Sequence, residues 1–198
     1  MVQRRSQAIV RSMKSWLGMF VIVAACEPLA AQHEADASFR RALAAQLAGD
    51  EARAEAEYRA VIALGVEDAP TLNNLGVIAV RHHGYIAARH LFGRAVKADG
   101  RDVVALTNYG VLSYYLSDLG EARRTLGEAR QLRHEILESI PSLGRANFEE
   151  ERFARSTESL DAIAQKYLSR IAKAEERGRA ELMLPGDLLA SIRYDARR

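Results

Sequence analysis

Two kinds of apolar pattern divide this chain. From Trp16 to Ala25 the residues are apolar apart from a glycine, whereas from about residue 35 apolar and polar positions alternate at helical spacing. The second pattern also repeats. At a shift of 34 residues, Leu72, Asn74, Leu75, Gly76 and Val77 coincide with Leu106, Asn108, Tyr109, Gly110 and Val111. Further along, Tyr85, Ala88, Arg89, Phe92 and Ala95 coincide with Leu119, Ala122, Arg123, Leu126 and Ala129. Each unit therefore predicts two helices joined by a turn.

The residue types within the unit say how its helices meet. Glycine inside a helix costs about 1 kcal/mol against alanine, so Gly76 and Gly110 predict a neighbour too close for a β-carbon. Ala88 and Ala122 serve the same end on the second helix. Leu75, Tyr85 and Phe92, with Tyr109, Leu119 and Leu126, supply the bulk between paired helices. Two unrelated amphipathic helices would share apolar spacing but not small residues in register.

This period on residues of helical type resembles that of tetratricopeptide repeats. The resemblance implies an all-α fold, a short α-solenoid of about three helix hairpins at 35–68, 69–102 and 103–136. In the first unit Gly49-Asp50 marks the turn, with Ala54, Tyr58 and Val61 where Ala88, Phe92 and Ala95 stand later. Its first helix fits less well: Ala42 replaces the glycine and Phe39 is displaced by one place, so this helix is shifted or acts as a cap. Leu64-Gly65-Val66-Glu67-Asp68 forms the next turn, and Pro70 opens the helix that follows.

Beyond residue 136 the register weakens. Leu143-Gly144, Phe153, Ser156, Leu160 and Ile163 fall in the register of a degenerate fourth unit over 137–170. No glycine or proline interrupts 130–139, so the preceding helix is expected to run on until Pro141 resets it. After Phe148 one long helix is expected to reach about Leu184, its stripe Leu160, Ile163, Tyr167 and Ile171 capping the apolar end of the stack. A dimerising coiled coil is the rival, but the stripe lasts less than about three heptads. Residues 185–198 form a tail, expected to be mobile after Asp187.

The N-terminal pattern is an address. Arg4, Arg5, Arg11 and Lys14 precede an apolar run too short to span a bilayer comfortably, so 1–25 reads as a signal peptide and 26–34 as a linker; Met13-Lys14 also forms a natural start. Val23-Ala24-Ala25-Cys26 resembles the lipobox of bacterial lipoproteins. That resemblance implies a lipid on Cys26, and Glu27 in place of an aspartate favours the outer membrane. Cleavage after Ala31 is one alternative; an uncut inner-membrane anchor, on a repeat scaffold for cell-wall enzymes, is another. A single cysteine excludes an internal disulfide.

Charge then changes the picture. The formal net charge of +2 is owed to the signal segment: without its four basic residues, 24 basic face 26 acidic ones. A surface of that balance does not favour nucleic acid. His82, His83 and His90 invite a metal, but Gly84-Tyr85 at the turn places His90 on a different helix from the other two. With no phosphate-binding glycine loop, no strand pattern and no nucleophile paired with a base, neither an enzyme nor a cofactor is implied. Glu149-Glu150-Glu151 reads as a solvated helix face.

In tetratricopeptide proteins the first helix of each hairpin lines a concave face that binds peptides. The resemblance carries this role to Phe39, Leu43 and Leu47, to Asn73, Asn74, Val77 and Arg81, and to Thr107, Asn108, Val111, Tyr114 and Tyr115. Their chemistry implies an apolar peptide or amphipathic helix as ligand, with amides for its backbone. The basic residues that clamp acidic chaperone tails are missing, since Phe39, Leu43 and Val104 stand at the corresponding places. Together with the export signal this resembles the small repeat lipoproteins that assist envelope machines such as type IV and Tad pili. The expectation is a non-enzymatic adaptor in the periplasm, tethered through Cys26 and holding a protein partner.

Overall fold

The structure, a computed structural model, describes residues 30–139, 146–178 and 181–195. Residues 1–29, which include the stretch read as a signal peptide and Cys26, and the register residues Leu143-Gly144 lie outside the described residues, as do the side chains of Phe153 and Ser156. Among the described residues there are eight helices and no strand. They are α1 (30–47), α2 (Glu51–Ala63), α3 (Ala69–Arg81), α4 (Tyr85–Ala98), α5 (Val103–Tyr115), α6 (Leu119–Ser139), α7 (Ala146–Arg177) and α8 (Pro185–Ser191). Helix α1 begins inside the stretch expected to be linker, because Ala35 and Phe39 have a core to enter: they are buried with Tyr58 and Val61 of α2.

Adjacent helices pack as pairs, and the pairs meet at recurring geometry. Gly49, His83 and Ser117, each 34 residues apart, have φ of +78°, +61° and +64°. After each helix the N–H of the next residue reaches back to a carbonyl five residues earlier: Asp50 to Ala45 (2.9 Å), Gly84 to Ala79 (2.7 Å) and Asp118 to Ser113 (2.8 Å). This left-handed cap satisfies carbonyls that a helix end would otherwise leave without partners. Asp50 and Asp118 then cap α2 and α6 by accepting from the N–H groups of Arg53 and Glu121. Asp68 and Asp102, also 34 apart, cap α3 and α5.

Only Gly49 of the three left-handed positions lacks a β-carbon, so the exposed Ser117 carries a strain glycine would relieve. Ser117→Gly is expected to stabilise the protein by about 0.5–1 kcal/mol, seen as a rise of about 1–4 °C in thermal midpoint. An unchanged or lower midpoint would mean that the turn is not strained.

Inside each hairpin the small-against-large expectation is met in detail. A β-carbon on Gly76 would lie 2.5 Å from Phe92 Cε1, and one on Gly110 would lie 2.6 Å from Leu126 Cγ and from Thr125 Oγ1. Ala54, Ala88 and Ala122 are fully buried, as are Tyr58, Phe92 and Leu126 four residues later. Alanine replaces glycine at position 42, and there the facing aromatic, Tyr58, meets Phe39 edge-on at 5.5 Å between ring centres.

The C-terminal third departs from the register. Helix α6 runs to Ser139 as its uninterrupted sequence requires, but α7 passes straight through position 151, where the register would put a fourth turn. The local sequence Glu149-Glu150-Glu151-Arg152 contains nothing to break a helix. Helix α7 stops at Arg177, short of Leu184, because Gly178 takes a φ of +66° and ends it. Leu160, Tyr167 and Ile171 are buried against α5 and α6, so the stripe covers their apolar faces. The tail is not free either: α8 buries Leu188, and Ile192 and Asp195 beyond it are buried too. No described helix is long and apolar enough to cross a membrane.

Candidate functional site

Three helices, α1, α3 and α5, stand at equivalent places in successive pairs; Asn74 and Asn108 at the shared position of α3 and α5 build the site, and α1 joins it through Gln46. Capping by Asp68 and Asp102 fixes where α3 and α5 begin, which puts Asn74 and Asn108 at matching points one unit apart. Both amides are fully buried, and so is Asn73. Burial of a primary amide is costly unless its donors and acceptor are used.

Their partner is the C-terminal segment of the same chain. Helix α8 ends at Ser191 and the backbone turns extended at Ile192 (φ −86°, ψ 141°). Asn108 then accepts from the Arg193 N–H (2.9 Å) and donates to the Arg193 carbonyl (2.5 Å). Asn74 does the same for Asp195, at 2.6 Å in both directions. Each side-chain amide thus takes the place of a neighbouring strand, holding both backbone groups of one residue, and the two held residues are two apart as an extended strand requires.

Further hydrogen bonds orient these amides. Asn73 accepts from Asn108 (2.8 Å) and donates to Asn74 (3.2 Å), and Asn74 also donates to the Tyr58 hydroxyl (2.9 Å). Tyr58 donates in turn to Gln46 of α1 at 2.8 Å. Burial raises the pKa of the Tyr58 phenol well above its ordinary value, so it stays a neutral donor at any physiological pH. Every first helix of a pair therefore contributes to one connected network.

Side chains of the segment fill the apolar part of the same face. Ile192 belongs to the cluster of Val77, Val111 and Tyr114, and Tyr194 packs between that cluster and the one around Phe39 and Leu75. Burial also pushes the Tyr194 phenol up. Helix α8 is itself held down: Ser191 donates to the Asp187 carbonyl (2.8 Å), so Tyr167 is the donor in its 2.8 Å bond to Ser191.

The residues expected to line a binding face are placed as follows. Asn73, Asn74 and Asn108 come together around the segment. Val77 and Val111 lie in the core beneath it, and Leu43 is partly buried. Phe39 is 1% exposed and Tyr114 3%; Tyr114 stacks on Tyr167 at 5.2 Å and donates to the Glu181 carbonyl, so both are core residues. Thr107 is turned back onto the Val103 carbonyl, Arg81 pairs with Glu51, and Tyr115 packs on Tyr85 at 4.8 Å. Leu47 is exposed. An open face is thus corrected to a covered one, because α7 supplies Tyr167 and the tail supplies Ile192 and Tyr194.

Sequence inspection missed the segment itself, together with Gln46 and Ser191, and placed Tyr58 and Tyr167 only as packing residues of the repeat register and the capping stripe. The alternation Ile192, Arg193, Tyr194, Asp195 was the available signal, a strand-like period in an otherwise helical chain. The histidines are engaged separately: His82 faces Glu51 at 3.4 Å and His83 meets the Tyr85 hydroxyl at 2.9 Å. His90 lies on α4 with Ile86, Lys97 and Tyr109 around a cleft of about 510 Å³. Among the described residues no three potential metal ligands group together. Compared with known families and curated proteins, the chain matches no family model and no curated sequence.

Proposed function

We propose that this chain is a tetratricopeptide-type adaptor that holds an extended stretch of a partner polypeptide across α1, α3 and α5, without catalysing a reaction. The observation that carries this is the paired grip of Asn74 and Asn108 on the backbone of residues 195 and 193. Bonds to backbone alone are indifferent to sequence, and the flanking apolar clusters add selectivity, which is how strand-like peptide recognition works in general. The grip also favours an extended ligand over a helical one, whose backbone groups are already used within the helix.

The 34-residue recurrence of caps, left-handed turns and glycine contacts supports a repeat solenoid of three hairpins, with α7 as its cap. The basic, apolar N-terminal segment and the tetrad ending at Cys26 support tethering of the adaptor as a lipoprotein in the bacterial periplasm, at the outer membrane, where it would serve assembly of an envelope machine such as a pilus.

Asn108→Ala tests the grip. Tyr114→Ala is a poorer probe because Tyr114 is a core residue. In a chain whose own hold on Asn108 is weakened by Arg193→Pro, affinity capture of envelope proteins is expected to lose its specific partner at least tenfold on Asn108→Ala, with helicity by circular dichroism unchanged. Undiminished capture would show that binding occurs elsewhere.

A further inference from the structure

We propose that the C-terminal segment is a tethered competitor: residues 192–195 occupy the place of the partner's peptide, and the partner binds by displacing them. The inference rests on the proposed peptide-binding role and adds what the peptide looks like and what opposes it. Everything a ligand would use on this face is already used in cis. Asn74 and Asn108 have their acceptor and a donor committed to Asp195 and Arg193, and the apolar cluster is covered by Ile192 and Tyr194. No partner peptide can engage these groups while the segment is in place.

The way the segment is held marks it as replaceable. The hydrogen bonds that Asn108 and Asn74 make to it at 193 and 195 are to backbone groups, which another extended peptide also carries. The Arg193 guanidinium bonds only to the carbonyls of Ala190 and Ile192 beside it in sequence, and among the described residues it has no ion pair to the rest of the fold. Tyr194 buries its ring, yet its hydroxyl is buried with no hydrogen-bond partner among the described residues. A buried hydroxyl without a partner is unfavourable, so this position reads an aromatic ring and not a phenol. The partner peptide is therefore extended, with an apolar residue at the place of Ile192 and an aromatic residue, phenylalanine as good as tyrosine, two residues later.

A tethered segment faces its site at an effective concentration of order millimolar, so it weakens the apparent affinity of a free peptide by the inverse of the fraction of chains it leaves open. The test uses a fluorescent synthetic peptide of residues 188–198 and the full chain, with and without Arg193→Pro and Asp195→Pro. Those two changes delete the N–H groups that reach Asn108 and Asn74 and leave every groove residue intact. The double-proline chain is expected to bind the peptide at least about tenfold more tightly than the unaltered chain. Tyr194→Ala in the peptide should abolish that binding, and Tyr194→Phe should keep or improve it.

Equal affinity of both chains overturns the competitor and leaves the groove's role standing. Failure of the double-proline chain to bind, with its helicity intact, overturns both. A second measurement keeps the proposal falsifiable if the prolines perturb folding. In the unaltered chain, saturating unlabelled peptide should speed hydrogen exchange at residues 193 and 195 while α3 to α6 keep their protection; unchanged exchange there overturns displacement.

Discussion

Phe92→Ala is expected to destabilise the protein by about 3–5 kcal/mol, a large fraction of what holds a domain of this kind together. The ring is fully buried and lies against α3 at Gly76, which carries no side chain that could swing into the space left behind. Relaxation is further limited because Val77, Val80 and Ala88 around it are held by α4 and α5. Partial collapse is what lowers the cost of such truncations, so this one belongs near the top of its range. At about 2–4 °C per kcal/mol for a chain of this size, the thermal midpoint should fall by about 10 °C. A fall of less than about 3 °C would mean that the α3–α4 contact is looser than the packing described.

Gly76→Ala is expected to destabilise by up to about 2 kcal/mol, against the usual sign of such a change in a helix. Alanine in place of a mid-helix glycine gains about 1 kcal/mol of helix propensity. Here the new methyl would sit 2.5 and 2.7 Å from two carbons of the Phe92 ring, and overpacking of that kind costs about 1–3 kcal/mol. The ring, buried on all sides, has nowhere to withdraw, so the clash outweighs the propensity. Gly127→Ala is the control: it adds its methyl where nothing lies within 4 Å, on α6, and should stabilise by up to about 1 kcal/mol. Combining Gly76→Ala with Phe92→Ala should cost at least about 1 kcal/mol less than the two changes summed, because the methyl then partly fills the cavity. Additive losses in chemical denaturation would show that the two residues do not touch.

The direction of both effects is legible in the sequence. The glycines at 76 and 110 and the bulky residues 16 positions later are local partners within one hairpin, and a contact of short sequence separation leaves its complementary sizes written close together. The turns are similarly local. Asp50, Asp68, Asp102 and Asp118 cap helices within three residues of themselves, so their spacing marks the helix starts. Apolar register alone predicts a fourth hairpin, and it fails where register has no turn chemistry to enforce it: Glu151 stands in mid-helix at the place held by Gly49, His83 and Ser117 in the units before.

The asparagines are legible as groups that bind backbone, but their occupant is not. Asn74 and Asn108 are joined to residues 121 and 85 positions away, and the partner atoms are main-chain N–H and C=O, which every residue but proline possesses and which single out no particular sequence. The helices, their pairing and the close approach inside each pair thus follow from residue size and capping over distances of one hairpin. The covering of the face by Tyr167, Ile192 and Tyr194 was decided only in three dimensions, because it depends on where α7 and α8 carry the end of the chain. Fully buried amides on α3 and α5 demand a backbone to bind, and the tertiary structure brings them one from the same molecule.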